Sequence, residues 1–395
     1  MKKNKNADAV VIGGGLIGAA VAYYLSKENV SVTVLERSGV ASGTSGACSG
    51  KIWFSTKKPG LHLELALVSS ELHRQIVNEL EYAIEQYDEG EMLLVETETE
   101  LRFMQGFVKE QKEAGIEIRF LTKREIKEMQ PFLATDRLAA VTYSPMGKTI
   151  NPMSLNFGLL KQAEKKGAII LRDTVVENIR MVSSRVEAVL TNCGEIETNY
   201  VVNAAGVYAP EIGKMVGLKV PVTPIRGQIM VTEAVAPIIR VPTLEARYLA
   251  FKRNPNLSPK SEKVDVTCGL SQNPKGNVYI AVTKEFVGLN NETTPLGMSM
   301  IARRALDFFP GLSPAKVIRS YAGLRPYTPD GLPIMGTVPG MEGFIMAAGH
   351  GGDGVTLAPV TGKLISELII QGEPSICIDE LSLARFNKGS SGTGS

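Results

Sequence analysis

Histidine is scarce in this 395-residue sequence, with only His62, His73 and His350, and cysteine is hardly commoner, with Cys48, Cys193, Cys268 and Cys377. No two cysteines form a C-x-x-C pair and no histidine sits beside one. That excludes a structural zinc centre, an iron–sulfur cluster or a disulfide scaffold as the organising feature, and no metal is expected. Four isolated cysteines suit a reducing compartment, here the cytoplasm. An excess of one charge is missing too: 43 Lys and Arg against 41 Asp and Glu leave a formal charge of +2. A nucleic-acid partner, which calls for a basic excess, is not expected. With 44% hydrophobic and 21% charged residues, the chain has ample core and length for two or three domain-sized units. Only the tail 389–395, of Gly, Ser and Thr, is expected to be disordered.

Ala9 to Ser26 runs for 18 residues without a charge and follows Lys2, Lys3 and Lys5, as a signal peptide or short membrane span would. Asp8 and the run Gly13-Gly14-Gly15 point elsewhere, and no membrane partner is expected. Ala7 to Ile12 has the apolar run of a buried parallel strand. Gly13-x-Gly15-x-x-Gly18 follows, then a helical stretch to Leu25, then Val30 to Leu35 and Glu36. Strand, glycine turn, helix, strand and acid in about thirty residues form a dinucleotide-binding unit. Gly13 permits the tight turn, and Gly15 lets backbone approach a pyrophosphate. The helix start at Leu16 and Ile17 offers N–H donors, and Gly18 lets helix and strand pack closely. Asn29, at the helix-to-strand turn, tolerates a left-handed backbone. Glu36 can accept from a ribose diol, which favours FAD or NAD over NADP.

Three further clusters accompany this unit. Arg37 to Gly50 is rich in small residues and, on composition alone, also reads as a flexible loop. Tyr200 to Gly206 is a short strand ending in a glycine turn. Ala348 to Thr356 precedes an apolar helix running from about Val355 to Ile370 and containing Pro359. A plain helix start with Asp353 as N-cap also explains that segment.

At these residues the sequence resembles the FAD-dependent D-amino-acid oxidase superfamily, in the branch of glycine oxidase, the catalytic subunits of proline and hydroxyproline dehydrogenases, opine oxidases and hydrogen cyanide synthase. The matching pieces are VVIGGGLIGAAVAYYL with LER, SGTSGACSG, VVNAAGVYA, AGLRPYTPDGLPIMG and AAGHGGDGVTLAPVTGKLISELI, spanning residue 9 to about 371. The resemblance implies an α/β fold: a Rossmann-type FAD domain (1–80, 143–225 and 320–388) joined to a discontinuous antiparallel-sheet substrate domain (81–142 and 226–319). Arg226 to Thr232 and Asn277 to Thr283 read as strands of the latter. Leu61 to Tyr87 reads as an amphipathic acidic helix, with His62 and His73 on its surface.

The implied cofactor is FAD. Beyond the glycine turn and Glu36, its implied contacts are Arg37, Gly43, Thr44, Ser45, Val176, Ala204, Ala205, Gly206, Gly351, Gly352, Asp353, Gly354, Val355 and Thr356. The family reaction takes a hydride from an amine-bearing carbon to the flavin, and the resulting imine hydrolyses. Because flavin supplies the redox chemistry, few imidazoles are needed. A helix start at Gly351 to Thr356 would stabilise charge on the reduced ring. Arg325, in Gly323 to Asp330, matches the arginine that pairs with a substrate carboxylate; a structural pairing with Asp330 is the alternative. Lys51 and His350 are candidates for facing the flavin, against a solvent-reaching lysine and a backbone-satisfied histidine. Tyr248, Tyr321 and Tyr327 are candidate pocket walls, and Trp53 is core or lid. AGLRPYTPDG offers no cysteine for covalent flavin attachment.

Two departures bear on substrate. Gly352 stands where glycine oxidases carry a second arginine, and Gly269 where their substrate strand carries a tyrosine. The substrate the resemblance implies is an amino acid or secondary amine: a D-amino acid, a proline derivative, an opine or an N-alkyl glycine. A bulkier or secondary amine, such as a proline derivative or an opine, fits better than glycine. The acceptor is open between oxygen and a partner subunit's flavin or iron–sulfur centre, and an oligomer is compatible with the sequence. An NAD-dependent dehydrogenase would leave GHGGDG without a role. A non-catalytic FAD scaffold would not need Arg325 together with the small-residue loop.

Overall fold

The computed structural model describes residues 5–249 and 264–386; the tail 389–395 lies outside them. Apolar Ala7 to Ile12 forms the strand Lys5–Ile12 at the heart of an eight-stranded sheet. Val32–Leu35 and Gly194–Asn203 flank it in parallel, and Ile169–Leu171 and Met341–Ala348 extend the parallel run on either side. An antiparallel hairpin, Val176–Val182 with Arg185–Thr191, closes one edge, and Ile334–Val338 pairs with Met341–Ala348. The helix Leu16–Lys27 packs between Pro152–Lys165 and Gly354–Gln371. At the second contact the helices nearly touch: a Cβ at Gly362 would lie 2.6 Å from the Ala20 backbone. Asn29 has φ 61°, the left-handed turn expected of it.

A second eight-stranded sheet runs Val317–Tyr327, Thr223–Ala234, Asn277–Lys284, Asp265–Gln272, Thr243–Glu245, Glu91–Val95, Ala140–Ser144 and Arg119–Phe120. Its pairs are antiparallel except Thr243–Glu245 with Glu91–Val95, which is parallel. The expected strands at 226–232 and 277–283 lie inside two of these. A small third sheet joins Lys51–Ile52, Lys148–Ile150 and Gln86–Asp88.

The helix expected from Leu61 to Tyr87 stops at Glu79. Its apolar pattern continues further, but Leu80 turns extended and Gln86–Asp88 pairs with Lys148–Ile150, so tertiary pairing overrides local preference there. His62 and His73 are not on the surface. They fall on the buried stripe His62, Leu65, Ser69, Leu72, His73 and Ile76, which faces Gly354–Gln371.

That contact repairs a break in the facing helix. Pro359 has no N–H, so the Val355 carbonyl four residues earlier loses its helical donor. His73 Nε2 lies 2.9 Å from that carbonyl oxygen and supplies the missing donor. The next amide, Val360 N–H, donates to Ser69 Oγ at 3.2 Å. Burial lowers the His73 pKa from 6.5 to about 4, so the ring stays neutral with its proton on the nitrogen that faces Val355.

Candidate active site

Three strand ends converge on the glycine turn. Gly13 N–H donates to Leu35 O at 2.8 Å, and Ala204 N–H to Ile12 O at 3.0 Å. Gly13 has φ 114°, a backbone no other residue adopts without strain. Gly18 is required by space: a Cβ there would lie 1.9 Å from the Gly13 carbonyl oxygen. Glu36, at the end of Val32–Leu35, is fixed by backbone, accepting from Gly14 N–H at Oε2 and Ser38 N–H at Oε1, each at 2.8 Å. Its carboxylate therefore faces the turn with lone pairs to spare.

A cavity of about 630 Å³ opens from this turn and runs toward the second sheet. Gly13, Gly15, Leu16, Ile17, Glu36, Arg37, Gly43, Thr44, Ser45, Val176, Ala204, Ala205, Gly206 and Gly351 to Val355 all line it. Gly18 and Thr356 do not; they stand one layer behind. Arg37 lies flat over Tyr208, 3.6 Å from guanidinium carbon to ring centre. At the far end come Lys51, Trp53, Tyr248, Gly269, Arg325 and His350. Tyr321 and Tyr327 are not among the lining residues: Tyr321 lies near Arg319, and Tyr327 packs edge-on against Phe286. Trp53 is both buried and lining.

Arg325 is half-buried on Val317–Tyr327 and has no carboxylate partner among the described residues. The alternative pairing with Asp330 does not form, because Asp330 binds Arg385 at 2.7 Å. Thr44 Oγ1 donates to Leu324 O at 2.6 Å, tying the small-residue loop to this strand. Cys48 in that loop also lines the cavity, and burial pushes its thiol up to about 11, so it stays protonated.

Lys51 lines the cavity, but its ammonium is held by Glu89 at 3.2 Å and Thr149 at 2.5 Å. Burial lowers its pKa, and Glu89 works against that shift. His350 Nε2 lies 3.0 Å from Thr361 Oγ1, and burial lowers its pKa to about 4, so it is neutral at pH 7.

Asp353 occupies the N-cap position of Gly354–Gln371, yet its side chain caps nothing. It turns instead to Lys57 Nζ at 2.5 Å and His62 Nε2 at 3.2 Å. The Lys57 side chain is 3% exposed, so this is a buried charge cluster at the cavity end of the helix. Lys57 and His62 are functional candidates absent from the sequence reading. The available signal was His62 itself, in phase with Leu65 and Ser69 on a buried helical stripe.

FAD fits this cavity. The two helix starts that reach it, at Leu16 and Gly354, carry no side-chain cap, which leaves first-turn N–H groups for an anion. Leu16 N–H is the one taken, by Ser45 Oγ at 2.9 Å. The buried Thr356 hydroxyl has no partner among the described residues. Among those residues, no helix is long and apolar enough to cross a membrane.

Comparison with known proteins agrees with this geometry. The chain is 30% identical over 386 residues to glycine oxidase of Geobacillus kaustophilus, covering 96% of this chain and 97% of that one. It is 26% identical over 428 residues to hydrogen cyanide synthase subunit HcnC of Pseudomonas aeruginosa, covering 97% of each. The solved L-proline dehydrogenase from P. horikoshii shares the fold at a TM-score of 0.88 and 24% identity, over 98% of this chain and 99% of that one. Residues 8–368 match the family described as FAD dependent oxidoreductase, DAO. The chain belongs to this DAO family and is an FAD-dependent oxidoreductase.

Proposed function

We propose that this enzyme oxidises the C–N bond of a carboxylate-bearing amine bulkier than glycine, such as a proline derivative, an opine or an N-alkyl glycine. The observation that carries this reading is Arg325: a guanidinium with no carboxylate partner among the described residues, on the wall of the cavity that holds the nucleotide-binding turn. A planar guanidinium with free N–H donors suits bidentate binding of a carboxylate. FAD, when bound, supplies the two-electron acceptor. Gly13, Gly15 and Glu36 would hold its nucleotide end, and the helix start at Gly351 to Thr356 its ring end.

The protein's own residues supply orientation and exclusion of water. Arg325 fixes the carboxylate, which sets the α-carbon. Cys48 stays protonated on the wall, so no thiolate competes for Arg325, and neutral His350 adds no second cation to draw the carboxylate away. The space at Gly269 and Gly352 admits a substituent on the amine or α-carbon. A Cβ at Gly352 would lie 3.6 Å from Tyr248 Oη, making that hydroxyl the polar group at this wall.

The first sheet, built from 1–80, 143–225 and 320–388, is the proposed cofactor part. The second, built mostly from 81–142 and 226–319, is the proposed substrate part. A second reading for the acceptor, a partner subunit in place of oxygen, is favoured by the likeness to HcnC, itself named as a subunit. Peroxide release against reduction of an artificial dye separates the two. A reducing, cytoplasmic setting is part of this reading, because the four cysteines are isolated in the sequence.

Arg325→Ala tests the reading: it keeps FAD and loses about 100-fold or more in kcat/KM, as expected for removing one member of a desolvated carboxylate pair. An unchanged kcat/KM removes the anchor.

A further inference from the structure

Gly227 sits in the middle of the strand Thr223–Ala234, where glycine weakens a sheet and its backbone requires none. Its φ is outside the left-handed region, so the reason must lie in what a side chain would meet. A Cβ at Gly227 would lie 2.7 Å from Arg325 Nη2 and 2.9 Å from both Cζ and Nη1. These distances put that methyl above the guanidinium plane at its Nη1–Nη2 end, in hard contact with all three atoms. The end of the Arg325 guanidinium therefore lies against the bare backbone of Gly227.

The strand pairing explains how it gets there. Gly227 stands opposite Gly323, and Arg325 opposite Ile225, so Arg325 reaches Gly227 along a cross-strand diagonal. Gly323 is needed for a separate contact, since a Cβ there would lie 2.7 Å from Ala47 Cβ in the small-residue loop. The backbone at 227 has no room to retreat. Its neighbours point to the other face and are both fastened to Glu285, Arg226 through Oε2 at 2.7 Å and Gln228 through Oε1 at 2.6 Å. Glu285 and Arg226 also exchange backbone hydrogen bonds, at 2.9 and 3.1 Å.

We propose that Gly227 is a positioning residue for substrate recognition: its missing side chain is the seat that holds the Arg325 guanidinium, and so sets where the amine's carboxylate is bound. The pinned strand leaves Arg325 as the partner that must move if the seat is filled. An anchor displaced by about an ångström misaligns the reacting carbon and costs turnover as well as binding. This inference rests on the reading of Arg325 as carboxylate anchor.

The test is a double-mutant cycle on the FAD-loaded enzyme with Gly227→Ala, Arg325→Ala and both together. Thermal melting is one readout. The other is kcat/KM with whichever of L-proline, sarcosine and glycine bleaches the flavin fastest. Gly227→Ala is expected to lower Tm by about 1–4 °C and kcat/KM by about 30-fold, through both KM and kcat. Adding Arg325→Ala removes most of the Tm loss, because the clash is gone, and the double variant turns over no worse than Arg325→Ala alone. A Tm loss of equal size in both backgrounds overturns the inference, as does a Gly227→Ala enzyme within about twofold of the parent kcat/KM. If Gly227→Ala fails to retain FAD, recovery of FAD in the double variant supports the seat and non-recovery overturns it. Turnover unaffected by Arg325→Ala sinks the anchor reading and this role with it. Turnover lost in Arg325→Ala but kept in Gly227→Ala sinks the role of Gly227 alone.

Discussion

The repair of the Pro359 break gives a sharp test of how the helix start at the cavity is held. His73→Leu keeps roughly the volume of the ring but removes the donor to Val355 O, 2.9 Å away in the parent. A buried carbonyl left without a partner costs about 1–3 kcal/mol. In a chain of this size that is a Tm fall of roughly 1–4 °C, with FAD held at saturation so that ligand linkage is constant. Pro359→Ala restores an N–H at position 359, which can donate to Val355 O in the ordinary helical way. His73→Leu in that background should therefore cost less than half as much, a coupling of about 1 kcal/mol or more. The pH dependence adds a second readout. The unfolded chain binds a proton on His73 near pH 6.5, whereas the folded chain does so only near 4, so folding stability drains away as pH falls through that window. A displacement of that size is worth on the order of 3 kcal/mol, and His73→Leu should flatten the acid side of the Tm profile by that share. Equal losses from His73→Leu with and without Pro359→Ala, and an unchanged acid limb, would refute the assignment of His73 as the missing donor.

Other expectations follow from the same geometry. Lys57→Met strands the Asp353 carboxylate beside His62 in a buried site, so stability should drop by about 3 kcal/mol or more; Lys57→Met with Asp353→Asn should recover part of it, and thermal melts of the two variants against the parent decide. Gly18→Ala places a methyl 1.9 Å from the Gly13 oxygen, and the purified protein should be colourless or insoluble; a yellow, FAD-loaded variant contradicts the packing argument. Glu91 is buried and accepts from Phe54 and Ser55 N–H at 3.2 and 3.0 Å, and burial raises its pKa to about 7. The folded protein thus holds a proton that the unfolded chain releases near 4.5, and this residue's contribution falls as pH rises toward 7. Glu91→Gln should then gain stability relative to the parent at pH 8 but not at pH 4, read as the difference in Tm between the two pH values.

What could be read in the sequence was whatever is encoded within one short segment. The strand, glycine turn, helix and acid from Ala7 to Glu36 lie close together in the chain, and each residue type answers to a neighbour a few positions away. The small-residue loop and the Ala348 to Thr356 start were likewise visible as compositional islands. The rest depends on partners far along the chain. Lys57 meets Asp353 across 296 residues and His73 meets Val355 across 282, so no local pattern marks either contact. The helix from Leu61 ended early because a distant strand, Lys148–Ile150, captures Gln86–Asp88. Tyr327 is kept off the cavity wall and packs edge-on against Phe286, a choice that strand alternation alone does not reveal. Gly227 did leave a mark, as a glycine inside a strand-like run, but only the guanidinium above it explains why.

The central claim, that this cavity joins an FAD site to a carboxylate-anchored amine site, is tested most directly by anaerobic titration of the purified holoenzyme. Proline derivatives, opines, N-alkyl glycines and glycine would each be added while flavin absorbance is followed, whatever acceptor the enzyme uses. The expected result is bleaching by at least one bulkier carboxylate-bearing amine, little by glycine, and none by the same amine with its carboxylate converted to an amide. Bleaching of equal rate by the acid and the amide, or no bleaching by any member of the panel, would contradict it.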